Sequence, residues 1–194
     1  MAILEDEQQL SMSIAADTLD WPVERDHTKP HVSELINIAA RVTGQAPSYS
    51  DVPTQEGWNI MALGRIAEYC LRPIIHEEAA KRNWLFKMAL VKEEDGIIGS
   101  LDGELHSYQG IEAIVEMKSK HSSPSDPTEN WRYMAQCKAY CYLSGCNTAW
   151  MPILYLPRRG PPNAELFLYT ITYTDDEIDS NWAMLKNCRK EKTV

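Results

Sequence analysis

Three strand-patterned stretches follow one another between residues 84 and 118, and stretches of helical periodicity stand on either side of them. The strands are 84–91, rich in large apolar side chains, 96–105, and 111–118 after a turn at Gly110, an order that reads as an antiparallel meander. Before them, Leu35, Ile38, Ala39 and Val42 share one helical face, with Ser33 as the expected N-cap and Gly44 as the stop. Ile60, Leu63, Gly64, Ala67, Leu71 and Ile74 recur at helical spacing over 57–82, where Pro73 is expected to kink or restart the helix. After the meander come a helix over 129–143 ended by Gly145, strands at 149–156 and 166–172, and a terminal helix from about Asp175. This order predicts an α/β fold with a central mixed β-sheet flanked by helices.

A chain of 194 residues suits one such domain and is short for two. We read 1–30 as an acidic N-terminal segment, about 31–172 as the core and about 175–190 as the C-terminal helix. No apolar run approaches the eighteen residues of a membrane span. The opening Met1-Ala2-Ile3-Leu4-Glu5-Asp6-Glu7 lacks the basic start and apolar centre of a secretory signal, so a cytoplasmic location is expected. Five cysteines, mostly in apolar stretches, suit a reducing compartment without structural disulfides.

The net charge of −9 argues at first against a polyanionic partner, since affinity for nucleic acid comes mainly from Lys and Arg. Its distribution softens the objection: the first thirty residues hold seven acids against two bases. Sites that hold divalent cations also need clustered carboxylates, and the ions reverse the local field.

One such cluster is legible. On 111–118 side chains alternate, so Glu116 and Lys118 project from one face and Met117 from the other. Asp102, near the end of the preceding strand, would come beside Glu116 across a short hairpin. Two neighbouring carboxylates suit Mg²⁺ or Mn²⁺, which polarises a phosphodiester and lowers the pKa of a water, while an ammonium such as Lys118 orients the hydroxide.

These residues resemble the core motif of the PD-(D/E)XK nuclease superfamily, an acid, a variable hairpin, then acid-x-Lys: here Asp102 and Glu116-Met117-Lys118. Gly64-Arg65-Ile66-Ala67-Glu68 is similar to the helical acid of RecB-like and lambda-exonuclease-like members. Gln136-Cys137-Lys138-Ala139-Tyr140 is similar to their Gln-x-x-x-Tyr signature, and Val32-Ser33-Glu34-Leu35 to their apolar-Ser-x-Leu opening, although the Cys-Pro-Arg-Arg that often follows is missing. The resemblance covers about residues 31–172. It implies a restriction-endonuclease-like core, with Glu68, Asp102, Glu116 and the Met117 carbonyl binding one or two Mg²⁺ or Mn²⁺ ions and Lys118 assisting the attacking water.

It further implies DNA as substrate, single-stranded or with free ends, cut exonucleolytically to 5′-phosphates in recombination, repair or end processing, in a bacterium or a phage-infected cell. A helicase, a single-strand-binding protein or a recombination protein would be a partner. Gln136 and Tyr140, four apart, share a helix stripe that Arg132 extends, and this ridge together with Lys120 and Ser33 would contact DNA, with Tyr140 alternatively stacking on a base. Lys138, Arg158, Arg159 and His121 are weaker DNA-contact candidates. Cys137, Cys141 and Cys146 depart from the spacing of cluster-bearing members, so no iron–sulfur cluster is expected.

Other readings stay open. Glu68 could be a solvated residue paired with Arg65 or Arg72, and Gln136 and Tyr140 could be partly buried polar residues over the sheet. A restriction-type or structure-selective endonuclease, or a non-catalytic DNA-binding or inhibitory protein that kept the fold, are the competing functions.

Overall fold

Large apolar side chains alternate along the strands, and the two sets they form are buried under different helices. The structure, a computed structural model, describes residues 3–10, 28–45, 55–120, 122–156 and 164–192. In chain order the elements are β1 (Ile3–Leu10), α1 (Val32–Val42), α2 (Gln55–Lys81), β2 (Leu85–Glu94), β3 (Ile97–Ser107), β4 (Gly110–Val115), β5 (Lys118–Lys120), a 3₁₀ turn (Pro127–Glu129), α3 (Trp131–Ser144), β6 (Thr148–Tyr155), β7 (Glu165–Thr172) and α4 (Asp175–Lys192). The seven strands form one mixed sheet in the order β1-β7-β6-β4-β3-β2, with β5 continuing alongside β6. β4 and β5 run parallel to β6 and the remaining pairs are antiparallel. The expected α/β class and flanked mixed sheet are therefore observed.

Ala149, Met151, Ile153 and Tyr155 of β6 pack with Leu35 of α1, Ala139 of α3 and Trp182 of α4. Trp150 and Leu154 turn the other way, onto Leu71 and Ile75 of α2. The period-2 pattern thus sandwiches the sheet between α1, α3 and α4 on one face and α2 on the other. Cys137 and Cys141 lie in the first cluster, and no disulfide is formed among the described residues. Among the described residues no helix is long and apolar enough to cross a membrane.

Several expectations need correction. The acidic N-terminal segment, set apart from the core at about residue 31, contains β1, which pairs along the edge of the sheet with β7. His31, not Ser33, occupies the N-cap of α1; its N–H donates to Glu34, and the carbonyl of the preceding Pro30 accepts from Ile98 of β3. α2 runs unbroken through Pro73, without a restart. α3 starts at Trp131 because Asn130 caps it, its side chain accepting from the Tyr133 N–H; Gly145, at φ +67°, ends it as expected. The stretch 111–118 is not one strand, since it breaks at Glu116 and Met117. Arg158, Arg159 and His121 lie outside the described residues.

Candidate active site

The β3 strand changes face at Asp102. Leu101 packs with the α1, α3 and α4 cluster, whereas Leu105, which would share its face in a regular strand, packs with α2. The β2–β3 register skips Asp102 and its opposite number Ala89, which sits at φ +52°. Gly103 completes the turnover: a Cβ there would come within 2.2 Å of the Phe86 ring and 2.6 Å of the Lys87 carbonyl oxygen. Freed from the ladder, the Asp102 carboxylate accepts a hydrogen bond from the Met117 N–H at 2.7 Å.

That bond also accounts for the gap between β4 and β5. The Glu116 N–H still reaches Trp150 O at 3.0 Å, but the Met117 N–H is turned to Asp102. Met117 is buried on the α2 side, while the carboxylate of Glu116 and the ammonium of Lys118 meet directly. Lys118 Nζ also donates to Gln136 Oε1 at 3.1 Å, and Gln136 Nε2 donates to the Tyr140 hydroxyl at 3.0 Å. The four side chains form one line from the β4–β5 break into α3, in which Tyr140 orients the Gln136 amide so that its carbonyl faces Lys118.

Electrostatics set this cluster apart. Burial pushes the Glu116 carboxyl up to about 8, against the pull of Lys118, with Asp102 and Glu68 adding to the rise. Burial likewise raises Asp102. Glu68 is pushed to about 7 by burial and by Asp102. Lys118 is held in its charged form: burial opposes the charge, and Glu116 and Asp102 outweigh it. Glu116 is 2% exposed, and its Oε2 has no hydrogen-bond partner among the described residues. Glu104, equally buried two residues beyond Asp102, is a useful contrast. Burial raises it too, but contacts with Lys92 and with His106 at 3.0 Å bring its carboxyl below the ordinary range. One buried carboxylate is neutralised by the chain; the other stands in a surplus of negative charge.

The structure thus brings Glu68, Asp102, Glu116, Lys118 and Gln136 together. Among the described residues no three acidic, imidazole or thiol groups converge closely enough to hold a metal ion as they stand, because Asp102 and Glu116 are turned to the chain's own N–H groups. The other expected residues are placed differently. Tyr140, 3% exposed, is buried under the sheet and has no surface on which a base could stack, so it reaches the site only through Gln136. Arg132 leaves the Gln136 stripe to donate to Asn37 of α1 at 3.1 Å. Lys120 donates to Ser125 and, with Arg132, lines a shallow cleft of about 390 Å³ together with Gln45, Asn130 and Trp131. Ser33 is exposed in the first turn of α1, and Lys138 pairs with Glu177. Sequence reading missed Tyr133, whose ring lies 5.2 Å from both the Lys118 and the Lys120 ammonium; its position one turn before Gln136 was the available signal.

The fold is one already seen in nucleases. The solved structure of SSO0001 matches with a TM-score of 0.54 at 15% identity, over 86% of this chain and 77% of that one. The alkaline exonuclease LHK-Exo from Laribacter hongkongensis matches with a TM-score of 0.50 at 15% identity, over 84% of this chain and 87% of that one. Its complex with dAMP matches at 0.51 and 13% identity, over the same shares. At these identities the likeness establishes the fold alone. No protein-family model matches the sequence, and no curated protein resembles it closely enough to count as a relative.

Proposed function

We propose that the chain is a divalent-cation-dependent deoxyribonuclease that hydrolyses phosphodiester bonds from a DNA end. The observation that carries this reading is the surplus of buried carboxylate around Lys118, with Glu116 Oε2 buried and unpartnered. Further support comes from the fold shared with an exonuclease that has been solved with dAMP.

The donor set is all oxygen, which suits a hard cation: Glu68, Asp102, Glu116 and the Met117 carbonyl would hold Mg²⁺ or Mn²⁺ once the carboxylates turn toward one another. A cation held there would supply Lewis acidity toward the phosphodiester and toward an attacking water. Lys118, tethered between Glu116 and Gln136, holds the attacking oxygen by a hydrogen bond. Lys120 and Arg132, along the cleft, contact phosphates without reading sequence. Products with 5′-phosphates, and a place in recombination, repair or end processing beside a helicase or single-strand-binding protein, complete the reading.

The test is to incubate the protein with end-labelled linear DNA, single- and double-stranded, and with a closed circle, in Mg²⁺, Mn²⁺ or EDTA. Linear DNA is expected to be degraded in either cation, with EDTA abolishing the reaction and the circle left intact. No cleavage with any cation would sink the proposal, and a nicked circle would turn it into an endonuclease.

Cation affinity should depend on pH. With Glu68 near 7 and Glu116 near 8, protons must leave before the carboxylates can bind, so affinity is expected to rise from pH 6 to pH 8. Calorimetric titration in buffers of different ionisation heat would register the released protons. Equal affinity at both pH values would contradict the raised carboxyls.

A further inference from the structure

Arg72 follows Glu68 by four residues on α2 and shares its helix face. A Glu and an Arg so spaced commonly close into an ion pair, yet among the described residues the Arg72 guanidinium meets no carboxylate at that range. It lies instead over the Tyr69 ring, 4.9 Å from the centroid, and its Nε–H is buried with no acceptor. Arg72 is nonetheless close enough to the cluster for its charge to be felt by both Glu68 and Asp102, opposing the effect of burial on each.

No carboxylate of the cluster answers that N–H among the described residues. Asp102 Oδ2 takes the Met117 N–H and Glu116 Oε1 takes Lys118. A guanidinium braced on a ring, with a buried donor unanswered, is preorganised for an oxyanion from outside the chain, and its planar fork matches a phosphate better than an ammonium does. We infer that Arg72 is a phosphate-binding residue of this site, gripping the substrate strand beside the bond that is cut; the inference rests on the nuclease reading above. It distinguishes Arg72 from Arg65, which is exposed on the same helix.

The experiment measures binding of a fluorescent single-stranded oligonucleotide by anisotropy over a range of salt concentrations, with Ca²⁺ replacing Mg²⁺. The proteins compared are wild type, Arg72→Met, Arg72→Lys and, as control, Arg65→Met. Arg72→Met is expected to weaken binding about tenfold and to reduce the slope of log affinity against log salt by about 0.7, the release of one counterion. Arg72→Lys should restore the slope but not the affinity, and Arg65→Met should change neither. An Arg72→Met protein with the wild-type slope would overturn the inference and leave Arg72 as a mere counter-charge to Glu68. If wild type itself neither binds nor cleaves DNA, the nuclease reading has failed and takes this inference with it. Should Arg72→Met melt well below wild type, Arg72→Gln, which keeps a donor but no charge, is judged by the same slope.

Discussion

Turnover of a DNA end is expected to fall by about 10²- to 10⁴-fold when Lys118 is replaced by alanine. Among the described residues the ammonium is the one cation bonded into the carboxylate cluster, and it is fixed from two sides, by Glu116 and by Gln136. Asp102→Asn is expected to be as damaging to turnover and to have the opposite effect on stability. The asparagine oxygen can still accept the Met117 N–H, while the carboxylate that opposes ionisation of both Glu68 and Glu116 is gone. In the absence of divalent cations Asp102→Asn should therefore melt at or above the wild-type temperature, as replacements that relieve strained sites commonly do. Steady-state kinetics and calorimetric melting of the same two variants check both halves. A Lys118→Ala enzyme within threefold of wild type would remove Lys118 from the chemistry.

Trp182→Ala is expected to cost about 3–5 kcal/mol of folding free energy, the usual range for deleting a large buried aromatic. Trp182 is 1% exposed. It stacks on Tyr142 at 4.4 Å with the rings 12° from parallel, and its Nε1–H donates to Asp95 Oδ2 at 3.0 Å. The residue thereby joins α4 to α3 and to the β2–β3 turn. Trp182→Phe, which keeps most of the packing and loses the bond, should cost nearer 1 kcal/mol. Denaturant titration separates the two, and a loss below 1 kcal/mol for alanine would mean that α4 is not a structural member of the core.

Much of this was legible because apolar periodicity and helix punctuation are local. Leu35, Ile38 and Ala39 announce α1, and Gly145 can occupy the left-handed conformation that ends α3 without strain. The relation of Asp102 to Glu116 and Lys118 was legible for the same reason, since a hairpin fixes which strand neighbours which. Failures came where a tertiary partner overrode a local pattern. Residues 111–118 alternate as one strand should, but Asp102 diverts the Met117 N–H from the ladder. The β1 sequence, Ile-Leu-Glu-Asp-Glu-Gln-Gln-Leu, lacks alternation and among the described residues pairs with β7 alone, so its place depends on a β7 edge that no local pattern encodes. Tyr140 follows Gln136 by one turn in sequence and in space; that it lies beneath the sheet could be known only once α3 was docked.

The irregularity at Ala89 and Asp102 has a second effect, on how copies of the chain behave toward one another. β2 ends the sheet, is ten residues long, and exposes Leu85, Met88 and Val91, the features of an edge on which other chains aggregate. At its middle the backbone of Ala89 turns left-handed, so the outward row of N–H and C=O groups loses its even spacing there. A neighbouring molecule can match the edge for only a few residues on either side of that point. The local twist that turns Asp102 to the Met117 N–H thus also interrupts the edge on which a continuous intermolecular sheet would grow.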